Sequence, residues 1–205
     1  MLISSIIRGK KKIIVQFEDA SFIELIPEIY YKSNFREEND VDTVEIEHFK
    51  YLNDERILKE YSLKILSIRE YSENSIFKKL KNKIDNDRAI RSVINYLKES
   101  KYINDYEYAK HYIENKLHRD NKGLYKIKID LVNLGISESI IEELCANISD
   151  TLQIDIAIKL ANKKIKSINN NTEIVNTKGK IFRFLMSKGF DTEICFTVVN
   201  QLIKF

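Results

Sequence analysis

Tyr51-Leu52-Asn53-Asp54-Glu55 returns as Tyr102-Ile103-Asn104-Asp105-Tyr106, 51 residues downstream, and each copy precedes a long helical pattern with its Asn-Asp pair in the same place. A second echo carries Leu131, Gly135, Ile136 and Ile140 into Leu185, Gly189, Phe190 and Ile194 with identical internal spacing, and a blurred copy spans residues 80–90. A period of about 50 residues predicts one helical unit duplicated along the chain, and such repeats build elongated, stacked architectures. A stack of helices offers a long surface rather than a deep pocket, which favours binding over catalysis.

Whole-chain properties agree. At 205 residues with 43% hydrophobic and 32% charged side chains, the chain can bury a core and is neither disordered nor a membrane protein. It holds no uninterrupted apolar run of about 18 residues, so no membrane span is expected. Residues 1–7 are apolar but break at Arg8-Gly9-Lys10, without a preceding basic region, so they do not read as a signal peptide. Cys145 and Cys195 lie in apolar helical patterns with no CxxC spacing, which predicts two buried thiols in a reducing cytoplasm. The net charge of +3 is uneven: nine basic and twelve acidic side chains in residues 1–59, sixteen and eleven in 60–130, nine and eight in 131–205. The basic middle is compatible with a nucleic-acid partner without demanding one, because solvated Lys/Glu faces produce similar imbalances.

Residues 2–7, 13–17 and 22–26 are short β-branched or aromatic runs separated by turn-like segments, and Pro27 closes the set as a small antiparallel sheet. The acidic stretch 37–42 reads as a linker. Beyond Thr43 the pattern is helical almost throughout, with one helix expected over 54–69 and Ser72 capping the next. Ile90, Val93, Ile94 and Leu97 form an i, i+3, i+4, i+7 stripe. Asn104 with Glu107 reads as a capping pair, Gly135 and Gly189 as helix stops, Asp191 as a further cap, and 169–172 as a loop. About nine helices in three groups of three result.

The glycine corners at 135 and 189 resemble helix-turn-helix joints. The helices that follow carry Glu138, Glu142, Glu143, Asp191 and Glu193, which repel phosphate, so groove reading of DNA is disfavoured. His111, Glu114 and His118 share a helix face but lack the converging ligands a metal needs, so a solvated face is expected and no metal. Tyr102, Tyr106, Tyr108 and Tyr112, interleaved with Lys101 and Lys110, can stack bases; packing between helices is the favoured reading. No Gly-rich phosphate loop, GxSxG, HExxH or paired carboxylate in an apolar run occurs, so neither enzymatic activity nor a cofactor is expected.

Taken in order, these residues resemble a known family. Residues 62–80, with Arg69-Glu70-Tyr71-Ser72, are similar to the opening of the helical part of bacterial RecX proteins. So are Tyr102, Asp105 and Ala109; then Lys122-Gly123, Leu131 and Gly135-Ile136; then Leu185 and Lys188-Gly189-Phe190. The resemblance covers residues 60–205, and the N-terminal strands resemble a sheet that some members carry. Lys101 stands where a glycine usually precedes the tyrosine, Leu124 stands where proline often follows the glycine, and the first repeat lacks a clear glycine corner.

The resemblance implies a mainly α fold: three tandem three-helix repeats in an elongated curved array, preceded by a small N-terminal antiparallel β element. The expected divisions are 1–45, 46–100, 101–150 and 151–205. It further implies a cytoplasmic, monomeric, non-enzymatic regulator that lies in the groove of the RecA filament on single-stranded DNA. Such a regulator opposes the recombinase, ATPase and coprotease activities, and contacts DNA directly or through RecA. Arg69, Lys78, Lys81, Arg88, Arg91, Arg119, Lys122, Lys126 and Lys128 are the candidate filament- or DNA-facing cations; solubility is their alternative role. Two other functions stay open: a RecA-independent nucleic-acid-binding repeat protein, and a scaffold for a different protein.

Overall fold

The three N-terminal runs pair as their alternation requires. β1 (Ile3–Arg8), β2 (Ile13–Phe17) and β3 (Phe22–Leu25) form an antiparallel sheet in the order β1-β2-β3. Ile13, Val15 and Phe17 alternate onto the buried face. On β1 a bulge between Ile3 and Ser5 places Ile3 and Ile6, three residues apart, on that same face. Pro27 does more than end the strands. It occupies the first position of a one-turn helix, α1 (Pro27–Tyr30), where its fixed φ and missing N–H carry no penalty.

The acidic stretch 37–42 is not a free linker. Ile3 N donates to Asn39 O (3.0 Å), Glu38 N to Ile3 O (2.9 Å), and Ile6 N to Glu37 Oε1 (3.1 Å). The stretch therefore covers the outer edge of β1 and satisfies its amides. Phe35, Val41 and Ile46 complete the small core beneath the sheet.

α2 (Thr43–Leu66) spans 24 residues, starting eleven residues before the expected helix because Asp42 caps it by accepting from Val44 N. The first copy of the repeated phrase therefore lies inside a helix. There Asn53 Oδ1 accepts from Ile26 N (2.8 Å), and Asp54 Oδ2 accepts from Asn86 Nδ2 (2.9 Å). α3 (Glu73–Lys83) and α4 (Asp87–Glu99) pack with α2 around Leu58, Ile76, Leu80 and the stripe Ile90, Val93, Ile94 and Leu97.

α5 (Asp105–His118), α6 (Leu124–Asn133), α7 (Glu138–Ala146), α8 (Asp150–Lys166), α9 (Ile174–Lys188) and α10 (Thr192–Leu202) share one continuous core. The computed structural model describes residues 1–167 and 174–203, without the side chains of 174–176, so the expected loop at 169–172 lies outside the described residues. The fold is mainly helical with a small N-terminal sheet, and ten helices occur among the described residues, α1 being the one not expected. The chain forms two compact units: residues 1–71 with 76–103, and residues 72–75 with 104–205.

In the second copy of the phrase, Asn104 caps α5 by accepting from Tyr106 N and Glu107 N, so the same dipeptide serves a helix start there and a helix interior in the first copy. The second echo has a single physical cause. After α6, Gly135 N donates to Val132 O (2.9 Å) and Ile136 N to Leu131 O (3.1 Å); after α9, Gly189 N donates to Met186 O (2.9 Å) and Phe190 N to Leu185 O (3.3 Å). This is the bonding of a Schellman stop, in which the residue after the left-handed position packs on the residue five before it. Leu131 and Ile136, like Leu185 and Phe190, are that buried apolar pair. The glycines hold φ +82° and +87°.

The same stop ends α4 without a glycine. Lys101 N donates to Lys98 O (3.0 Å) and Tyr102 N to Leu97 O (2.8 Å), with Lys101 at φ +59°. A side chain in that region costs on the order of 1 kcal/mol relative to glycine. We expect Lys101→Gly to raise stability by about 0.5–1 kcal/mol and Gly189→Ala to lower it by more than about 2 kcal/mol, read by urea unfolding. Equal effects of the two substitutions would contradict this assignment.

Candidate functional site

In the unit formed by residues 72–75 with 104–205, two helix starts are seated in helix stops. The first N–H groups of a helix have no acceptor within it. At the start of α6, Gly123 N donates to Lys188 O (3.0 Å) and Tyr125 N to Gly189 O (3.1 Å). A Cβ on Gly123 would fall 2.1 Å from Gly189 O, and one on Gly189 would fall 2.2 Å from Lys126 Cβ, so the backbones meet directly. Leu124 sits where a proline would be tolerated, and its N–H donates to Gln153 Oε1 (3.4 Å). Residues 72–75 use the other glycine stop in the same way. Ser72 Oγ donates to Leu134 O (2.8 Å), Glu73 N donates to Asp105 Oδ1 (2.7 Å), and a Cβ on Gly135 would fall 2.5 Å from Asn74 Cβ. Ala109 is fully buried in the core below.

Against this frame the nine candidate cations differ. Lys81 bridges Asp87 (2.8 Å) and Asp85 (3.0 Å), and those carboxylates raise its pKa. Lys122 pairs with Asp130 (3.2 Å). Arg69 lies over the ring of Tyr71 at 4.6 Å, and Arg88 over Tyr51 at 4.5 Å. Lys78 on α3, Arg91 on α4, Arg119 beside the end of α5, and Lys126 and Lys128 on α6 are exposed. Lys126 and Lys128 lie two residues apart on α6, and Arg88 and Arg91 three apart on α4, all four exposed.

Three of the four clustered tyrosines are structural. Tyr106 Oη meets Glu143 (3.0 Å), Tyr112 Oη meets Asp130 (3.2 Å), and the Tyr108 ring lies 6.2 Å from that of Tyr112. Tyr102 alone is exposed, beside Tyr96. His111, Glu114 and His118 are exposed on α5, and among the described residues no three potential metal ligands converge. The free thiols of Cys145 and Cys195 are buried, and burial pushes the latter up to about 11. No helix among the described residues is long and apolar enough to cross a membrane.

One feature escaped the reading of the sequence. Tyr125, Ile129 and Val132 project outward from α6, at 65%, 40% and 60% exposure, while Ile127 and Leu131 of the same helix are fully buried. The inward stripe alone accounted for the periodicity and hid the outward one. Beside Tyr125 opens a cavity of about 540 Å³ lined by Leu124, Lys128, Cys145, Ile148, Gln153 and the carboxylates Asp150 and Asp191.

Comparison with known proteins adds an independent finding. Residues 151–199 match the family description "RecX, third three-helix domain". The chain is 33% identical over 200 residues to the regulatory protein RecX of Clostridium tetani, covering 96% of this chain and 90% of that protein. It is 28% identical over 197 residues to that of Clostridium beijerinckii, covering 96% and 92%. A crystal structure of regulatory protein RecX superposes with a TM-score of 0.68 at 23% identity, covering 99% of this chain and 98% of that one. The structure of RecX from Lactobacillus salivarius gives 0.64 at 27% identity, covering 74% and 97%.

The Lys122–Asp130–Tyr112 cluster has a pH signature. Burial, reinforced by the charge of Asp130, pushes the Tyr112 phenol from 10.0 up to about 12. A phenol raised in the folded state contributes stability in full below about pH 10 and loses it as the pH climbs toward 12. Tyr112→Phe is expected to lose less stability than the wild type between about pH 10 and pH 12, measured by urea unfolding. Identical slopes for the two proteins would contradict it.

Proposed function

The chain belongs to the RecX family of regulatory proteins, and from that premise we propose that it binds the RecA filament on single-stranded DNA and inhibits its recombinase, ATPase and coprotease activities. The observation that carries this reading is the identity to a RecX protein along 96% of the chain. In this reading the protein is a cytoplasmic monomer that works by occupancy. Three three-helix units, at about 46–100, 101–150 and 151–205, follow the β element of residues 1–45 and contact successive recombinase protomers. Weak contacts made by one chain then combine through effective concentration.

Cations act on a filament only where their charge is free to do so. Lys126 and Lys128 are exposed and have no carboxylate at ion-pair distance among the described residues, so they are the first candidates for filament or DNA contact. Lys78, Arg91 and Arg119 follow. Lys81 and Lys122 are already neutralised by aspartates, which lowers what they can offer a partner. Arg88 presents its guanidinium group from the face of a tyrosine ring, a geometry that still leaves N–H groups for phosphate or carboxylate, and Arg69 lies over the ring of Tyr71.

The test is ATP hydrolysis by the cognate RecA on single-stranded DNA with this protein titrated in. Suppression well below one regulator per recombinase is expected, and no effect of the folded protein across the titration would refute the reading. Steep, salt-sensitive binding to naked strands without any effect on RecA would instead assign a RecA-independent nucleic-acid-binding role. Lys126→Glu with Lys128→Glu should raise the half-inhibitory concentration about tenfold, whereas Lys81→Glu should change it less than about twofold. Equal effects would remove the distinction between free and neutralised cations.

A further inference from the structure

The near balance of nine basic and eight acidic side chains over residues 131–205 conceals a segregation. Between Asp155 and Asp191 the chain carries eight cations against one carboxylate, Glu173. Helix α9 holds half of those cations and no acid. Lys180, Arg183, Phe184, Ser187 and Lys188 stand at i, i+3, i+4, i+7 and i+8, which is one side of a helix, while Ile181 and Leu185 are fully buried in the core.

Two neighbours extend this face within the same compact unit. The ammonium of Lys164 on α8 and that of Lys188 lie 5.7 and 5.6 Å from the centre of the Phe184 ring. A ring holds an ammonium without cancelling its charge, as a carboxylate would. Lys126 packs its Cβ on Gly189, at the C-terminal end of α9, and is exposed. Among the described residues, none of Lys126, Lys164, Lys180, Arg183 and Lys188 has a carboxylate at ion-pair distance. Asp130, one turn from Lys126, is held by Lys122 and Tyr112. Asp155 lies in the first half of α8, and Asp191 accepts from Glu193 N and Ile194 N as the cap of α10. The flank of α9 beside Arg183 is aromatic. Phe182 and Phe196 of α10 stand 4.8 Å apart between ring centres, and Phe196 is 55% exposed, with Glu193 one turn before it.

We propose that this face is a binding site for a single nucleic-acid strand. Its phosphates follow Lys180, Arg183, Lys188 and Lys126, and a base reaches the ring of Phe196. The row from Lys180 to Lys188 is about 12 Å long, room for a few nucleotides. A peptide carboxylate can match one or two of these cations, whereas a strand carries a charge at every nucleotide and meets the whole row. The open ring beside the row selects a strand over a duplex, because only unpaired bases have a face free to stack. The site is independent of the inhibition of RecA: it holds a strand with or without the recombinase.

The experiment is binding of a labelled oligothymidylate to the full chain, read by fluorescence anisotropy across a salt series with no recombinase present. Each phosphate neutralised on a single strand adds about −0.7 to the slope of log affinity against log salt, so Lys180→Gln with Arg183→Gln should make the slope shallower by about 1.4. The same variant should bind at least about tenfold more weakly. Lys12→Gln with Lys32→Gln removes equal charge from cations already paired with Glu24 and Glu28, and should cost less than about twofold. Equal losses in the two variants would reduce the face to bulk charge and overturn the site, as would a wild-type protein that does not bind the strand.

The choice of a single strand has its own readouts. Phe196→Ser removes the ring without changing charge, and should weaken binding about tenfold at an unchanged salt slope. Wild-type protein should prefer the oligothymidylate to a duplex of the same length, a comparison that needs no variant to fold. Equal affinity for strand and duplex, or full affinity in Phe196→Ser, would overturn the assignment to a single strand. A protein that inhibits RecA yet fails these tests would overturn this site alone and leave the proposed function standing.

Discussion

The backbone of Gly123 against the backbone of Gly189 is the contact on which the helical unit of residues 104–205 turns. Gly123 N donates to Lys188 O at 3.0 Å, in a space where a single methyl group would fall 2.1 Å from a carbonyl oxygen. The start of α6 thus finds its missing acceptors in the stop of α9. One peptide interaction satisfies orphan donors at a helix N-terminus and orphan carbonyls near a C-terminus together. Residues 72–75 meet the stop of α6 by the same logic, with Ser72 and Asp105 supplying side-chain bonds. Bonds of this kind fix the spacing of successive helices more narrowly than apolar packing does, because side chains can repack and backbones cannot.

Much of this was visible in the sequence, for physical reasons. The Leu-x-x-x-Gly-apolar echo encodes a Schellman stop and its buried apolar pair, so both corners were legible from spacing alone. The α4 stripe and the alternating strands were legible because one face of each is buried. What stayed hidden depended on contacts distant in sequence. Asn53 and Asp54 look like the Asn-Asp pair at 104 and 105, where Asn104 caps α5. They instead sit within α2 because Ile26 N and the Asn86 side chain arrive there to bond them. The stretch 37–42 reads as solvent-exposed linker until the edge of β1 gives it amides to accept. Lys101 hides its stop because a lysine holds a conformation for which glycine is the usual signal.

The candidate site was legible only as a tally of charge. Counting cations along the chain does not distinguish Lys122, held by Asp130, from Lys126 and Lys128, which are exposed one turn away. The pairing comes from the loop before α6 folding over the first turns of the helix, which no local pattern announces. The outward stripe of α6 was masked differently. A ten-residue helix with two apolar faces yields one periodic signal, and the buried face claims it. The outward face is the surface of α6 that the fold does not use.

Amide hydrogen exchange at Glu73, Gly123 and Tyr125 measures the seating of helix starts in helix stops most directly. These N–H groups stand at or near helix starts, where exchange is ordinarily fast. If their bonds to Asp105, Lys188 and Gly189 hold the unit together, they are expected to exchange only through its global unfolding, as slowly as core amides such as Leu131. Exchange at the rate of frayed helix ends, while Leu131 stays protected, would contradict the account.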